Sequence, residues 1–192
     1  VILSPLALLR GGLLLLAAVV LQLSGVADLR VLGGHADLVV LVVAATAYYA
    51  GSVSGSAMGF AAGALLDLAS GGTMGVSSLV LTAVGYGVGR FREVRDPSHG
   101  LLPVPVAAAA TFGFVAAFAA VSFMLDIGAT VSPMVIREAL VTILLNALLA
   151  LPVFAGCLRV LRPSLAVDPF ERRRRRGAPR EAGPLGLRGL EV

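Results

Sequence analysis

The chain has 192 residues, 58% of them hydrophobic, with a mean hydropathy of +0.95, a formal net charge of +4 and a pI near 10.2. Soluble domains are about 45–50% apolar. Here the excess sits in uncharged blocks, which leaves no room for a large soluble domain and makes lipid the solvent for most of the chain. All fifteen basic residues are Arg. They cluster beside the apolar blocks without the aromatic interleaving of a nucleic-acid-binding fold, which sets nucleic acid aside as a partner.

A hydrocarbon core about 30 Å thick takes roughly 20 apolar residues per helix. The blocks predict an all-α, polytopic membrane domain over residues 1–163, with about six transmembrane helices. The first span is expected at 6–26, with Arg10 snorkelling to the interface. A signal peptide with a cleavage site near 24–27 is the rival reading; the poor charged region before the apolar run favours a retained helix. A polar loop at 28–37 follows. The uncharged run from Leu38 predicts a second span to about residue 52, and a third is expected at 54–70 after a tight glycine turn. A re-entrant segment here would change the span count. The fourth span, 76–89, is expected to stop at Arg90, Arg92 and Arg95. The fifth is expected at 103–125. The sixth, 135–158, is loosened at Pro152 and stopped by Arg159 and Arg162. Residues 164–192 have too little apolar surface to fold alone and read as a disordered, Arg-rich cytoplasmic tail.

With both termini inside, thirteen Arg are cytoplasmic and two, Arg30 and Arg137, are outside. Positive charge sets membrane orientation in this way, so a multi-pass protein with cytoplasmic N- and C-termini is expected.

The densest pattern is GSVSGSAMGFAAGALLDLASGGTMG. Gly51, Gly55, Gly59 and Gly63 recur every fourth residue, and Asp67, Gly71 and Gly75 keep the count. Four residues advance a helix by about 400°, so the row winds only slowly around the axis. Small residues at this spacing let another helix backbone approach closely. Whether that helix belongs to this chain or to a partner is open at the level of sequence. Asp67 follows the groove. An Asp at mid-membrane costs about 2.5–3.5 kcal/mol, less near a helix end, so it should face protein, either as a partner contact or as a hydrogen-bond acceptor for the 71–77 turn. Asn146, inside the sixth span, fits an interhelical hydrogen bond.

Enzyme chemistry finds little support. Gly85, Gly87 and Gly89 resemble half a nucleotide fingerprint but lack the surrounding strand–turn–helix unit. His35 and His99 fall in different loops, and the lone Cys157 builds neither a disulfide framework nor a Cys-rich metal site. No catalytic residue, metal ligand or cofactor is expected.

The run Gly59-Phe60-Ala61-Ala62-Gly63-Ala64-Leu65-Leu66-Asp67, then Met74-Gly75, then Val84-Gly85-Tyr86-Gly87-Val88-Gly89, resembles the MreD family of rod shape-determining proteins. Gly59, Phe60, Gly63, Asp67, Gly75, Tyr86 and Gly89 match its pattern, and Met74 replaces a Leu at similar volume. The motif covers about thirty residues; size, span number and basic tail agree over most of the chain. The resemblance implies a non-enzymatic membrane scaffold of the bacterial elongation machinery that binds the bitopic protein MreC. The wider complex includes MreB, a SEDS glycosyltransferase and a class B penicillin-binding transpeptidase. It also implies a membrane fold similar to the S components of energy-coupling-factor transporters. Gly51, Gly55, Gly59, Phe60, Gly63, Asp67, Gly75, Tyr86 and Gly89 are then the candidates for core or partner packing. Arg172, Arg173, Arg174, Arg175 and Arg176 are candidates for contact with anionic membrane lipids or an acidic cytoplasmic partner. The competing function is an S-component-like binder of a vitamin-sized molecule. The first span argues against it, because no Ala within 6–26 has another four positions later.

Overall fold

The computed structural model describes residues 5–24, 33–71, 74–94, 102–125 and 133–162. They form six α-helices: α1 (Pro5–Leu23), α2 (Leu38–Ala50), α3 (Ser52–Ser70), α4 (Val76–Val94), α5 (Pro103–Met124) and α6 (Pro133–Leu161). No strand forms among the described residues, so the chain is all-α there. By length and composition α3, α5 and α6 are long and apolar enough to cross a membrane, and Leu9–Leu23 and Leu38–Ala50 are shorter apolar helices. Arg30, Arg95, His99, Asp126, the penta-arginine run and the rest of the expected tail lie outside the described residues.

Helix α2 is uncharged and apolar on every side, and such a helix belongs in an interior. Val39 through Tyr48 are all buried. α2 packs against each of the other five helices, which follow one another around it in the order α1, α3, α4, α5, α6, with α6 closing back on α1. Its 13 residues rise only about 20 Å, short of a full crossing. The expected extension of this helix to residue 52 does not form. Gly51 takes φ +90° and serves as C-cap of α2 and N-cap of α3 at once, a one-residue reversal that L side chains rarely adopt.

Two other boundaries differ from the sequence reading. α4 continues past Gly89 through Arg90, Arg92 and Glu93. Cations are favourable in the last turn of a helix, and Glu93 is held by a distant partner, so the charged segment extends the helix rather than ending it. α6 runs through Pro152 to Leu161. The proline removes the N–H that would bond the Leu148 carbonyl, a loss that helices packed in a membrane tolerate. α5 starts with Pro103, where a missing N–H costs nothing.

Candidate functional site: a glycine-faced hairpin closed by two carboxylates

Of the four-spaced row, Gly55, Gly59 and Gly63 lie along the buried face of α3 and α4 of the same chain covers them, with Ala47 of α2 also against Gly55, while Gly51 is the cap before the helix. A Cβ placed on Gly55 would meet the Gly85 carbonyl, one on Gly59 would meet the Leu81 carbonyl and the Thr82 nitrogen, and one on Gly63 would meet Ser77 and Ser78 backbone atoms. On the facing helix, a Cβ on Gly85 would strike Gly55, and one on Gly89 would strike Ser52. Each approach is under 3.0 Å and is made to backbone atoms, which cannot swing aside. Steps of three or four along α3 (Ser52, Gly55, Gly59, Gly63) are met by steps of three or four back along α4 (Gly89, Gly85, Leu81, Ser78). The two helices therefore pack antiparallel, backbone on backbone, and the groove that the glycine spacing predicts is filled from within the chain.

A carboxylate closes each end of this hairpin. Near the C-terminus of α3, Asp67 is only 5% exposed. Its Oδ2 accepts from the backbone N–H of Gly75 at 2.8 Å, from that of Ser78 at 3.3 Å and from the Ser78 hydroxyl at 3.2 Å; its Oδ1 accepts from the Ser77 N–H at 3.2 Å. These are donors at the start of α4 that no intrahelical carbonyl reaches. Negative charge is also favoured at a helix N-terminus. Gly75, at φ +100°, makes the turn that aims its N–H at the carboxylate. At the far end of α4, Glu93 Oε1 accepts from the Ser52 N–H at 2.9 Å and the Ser52 hydroxyl at 2.7 Å, capping α3 in return. Arg90 donates to Glu93 Oε2 at 3.2 Å. Beside it, Arg92 donates to the Tyr49 carbonyl at 2.9 Å, where α2 ends, and its guanidinium lies 5.9 Å from the centre of the Tyr48 ring. Each helix of the pair thus carries, near its own C-terminus, the acceptor that caps its neighbour's N-terminus.

A third polar cluster ties α2 to the ring. Asp37 N-caps α2 through the Val40 N–H at 3.2 Å and accepts from Gln22 Nε2 of α1 at 3.0 Å. Gln22 Oε1 takes the Val39 N–H at 3.1 Å. From the middle of α6, fully buried Asn146 accepts the Asp37 N–H at 2.9 Å through Oδ1 and donates Nδ2 to the Thr111 hydroxyl of α5 at 2.9 Å. Thr142, one turn before Asn146, accepts the His35 N–H at 3.3 Å. The interhelical bond expected of Asn146 is present, and it joins three helices instead of two.

The remaining candidates fall elsewhere. Phe60 and Tyr86 carry the motif but point out of the bundle, 60% and 53% exposed. They are not brought together with the glycines. Ser52, Glu93, Gln22 and Asp37 hold helix ends, yet none was a candidate from sequence. Glu93 sits between Arg92 and Val94 in a stretch that reads as a charged loop, and its partner is 41 residues away.

Comparison with known proteins gives one positive finding. A family model described as rod shape-determining protein MreD matches residues 5–160. No curated protein matches, and no solved structure matches.

Proposed function

We propose that this chain, which belongs to the MreD family of rod shape-determining membrane proteins, acts as a non-enzymatic scaffold that binds the single-span protein MreC and positions the lateral-wall peptidoglycan machinery. In this reading the wider assembly holds MreB, a SEDS glycosyltransferase and a class B penicillin-binding transpeptidase. The observation that carries the proposal beyond family membership is the use of the polar groups. The Asp67 and Glu93 clusters join helix ends and the Asp37–Asn146 cluster ties the start of α2 to the interiors of α5 and α6, which makes a stiff bundle whose outer, lipid-facing sides are left to meet other helices.

The orientation belongs to the same proposal: six membrane helices in the bacterial cytoplasmic membrane, the short α2 recessed inside the ring of the other five, both termini cytoplasmic. It is supported by the collection of Arg10, Arg90, Arg92, Arg159 and Arg162 at the end of the bundle where α2, α4 and α6 finish and α3 and α5 begin. The penta-arginine run is placed on the same side, against anionic lipid or an acidic partner. The S-component-like fold is likewise proposed, supported by the all-helical bundle. Within the site, Gly51, Gly55, Gly59, Gly63, Asp67, Gly75 and Gly89 are assigned to core packing. Phe60 and Tyr86, which project from α3 and α4, are assigned to the partner.

Purification from native membranes tests this reading. The expected result is a stoichiometric single-span partner with an extracytoplasmic domain, lost on Phe60→Ala/Tyr86→Ala substitution while the bundle stays folded. Recovery of a tightly bound small molecule with a pair of ATPases, and no such partner, would favour the vitamin-uptake alternative and refute the scaffold.

A further inference from the structure

The last turns of α6 leave one face uncovered: Leu148, Pro152, Ala155, Gly156, Arg159 and Arg162 are all exposed. Spacings of three and four put them on one side of the helix. A Cβ on Gly156 would meet nothing within 4 Å, so Ala155 and Gly156, the small exposed residues of this face between Pro152 and Arg159, form a shallow notch. Below it the leucine is apolar; beyond it stand two guanidinium groups three residues apart. No described carboxylate pairs with either Arg: the ion pair at this end of the bundle joins Arg90 to Glu93, and Arg92 is engaged with the Tyr49 carbonyl.

We infer that this face of α6 binds one anionic phospholipid, its phosphate held between Arg159 and Arg162 and an acyl chain lying along the notch to Leu148. Charge and length both fit that occupant. The pair of Arg complements a phosphodiester, which guanidinium groups bind by directed hydrogen bonds as well as by charge. From Arg159 to Leu148 the helix rises about 16 Å, close to half of a hydrocarbon core of about 30 Å, so the face matches the depth of a single leaflet. The site is separate from the glycine-faced hairpin and does not depend on the identity of any protein partner.

Native mass spectrometry of the full chain tests the assignment. The protein is released from vesicles containing equal phosphatidylglycerol and phosphatidylcholine, and retained lipid is counted. Each interfacial Arg favours the anionic lipid by roughly five-fold, so wild type should retain phosphatidylglycerol by about ten-fold or more. Arg159→Gln/Arg162→Gln should lower that ratio by about ten-fold or more, with thermal exposure of Cys157 unchanged as the control for folding. Gly156→Leu, which fills the notch, should lower retention of both lipids. Arg137→Gln, at the other end of α6, should change nothing. The inference is overturned if wild type shows no preference or the double variant keeps it. It is equally overturned if the preference vanishes only on removal of residues 164–192, or if an acidic protein segment in place of lipid is what those two Arg retain.

Discussion

Two glycines on the same hairpin should respond to alanine with opposite signs. At Gly59 the added methyl meets the Leu81 carbonyl and the Thr82 nitrogen at under 3.0 Å. Backbone of a neighbouring helix cannot rotate away, so α3 and α4 must part by about 1 Å to restore van der Waals contact. Overpacking of this kind costs about 1–3 kcal/mol. Because the overlap is with backbone, the cost falls in the upper part of that range, about 2–3 kcal/mol; the better helix propensity of alanine returns about 1 kcal/mol, leaving a net loss of about 1–2 kcal/mol. At Gly87, on the outward side of α4, the methyl meets nothing within 4 Å. Only the propensity gain remains there, so the variant should be neutral or slightly more stable. The chain supplies its own probe: Cys157 is its single cysteine and is buried, so a thiol-reactive fluorophore reports unfolding in detergent as temperature rises. At about 2–4 °C per kcal/mol for a chain of this size, Gly59→Ala should melt roughly 2–8 °C below wild type, and Gly87→Ala at or above it. Equal melting of Gly59→Ala and wild type, or an equal loss from both variants, would show that α3 and α4 do not meet through this face.

Other outcomes follow from the same contacts. Asp67→Ala leaves the N–H groups of Gly75, Ser77 and Ser78 without their acceptor in a buried site and should destabilise by about 1–3 kcal/mol, whereas Asp67→Asn, which keeps a carbonyl acceptor, should lose less; both are read by Cys157 labelling. Glu93→Ala and Ser52→Ala should each lower the melting temperature, Glu93→Ala by more because it also strands the Ser52 N–H, and the double variant should fall short of their sum, because the Ser52 hydroxyl–Glu93 bond is lost in either. Asn146→Leu preserves size but strands the Asp37 N–H, and should cost about 1–3 kcal/mol by the same assay. Gly63→Leu places a branched side chain against the Ser77–Ser78 backbone, so any loss of partner co-purification should come with loss of the folded monomer; a stable monomer that no longer pulls down its partner would put the groove in the interface instead.

Much of the hairpin was legible because its signal is local. Glycines at a spacing of four lie on one slowly turning face wherever the chain is helical, as Gly55, Gly59 and Gly63 do while Gly51 caps the helix instead, and Asp67 at the next step needs protein around it. What sequence could not decide was which helix fills the groove, since glycines at Gly85 and Gly89 look the same facing inward or outward. The inward pair and the outward Gly87 are separated only by the register with α3. Phe60 and Tyr86 share the motif with the buried glycines yet sit one step around their helices, on the lipid side. The clasp at Glu93 and the Asp37–Asn146 bond were not legible at all, because their partners are 41 and 109 residues apart and nothing in the local pattern marks them. The central place of α2 did have a signal: a short, uncharged run, apolar all round, too short to cross the bilayer alone.

A high-resolution structure of the chain in its native membrane complex is the most direct test. Backbone contact between Gly59 and the Leu81–Thr82 peptide, with the Asp67 carboxylate bonded to Gly75 and Ser78 of the same chain, is the expected result. A helix from another protein, or lipid, lying against Gly55, Gly59 and Gly63 would contradict it.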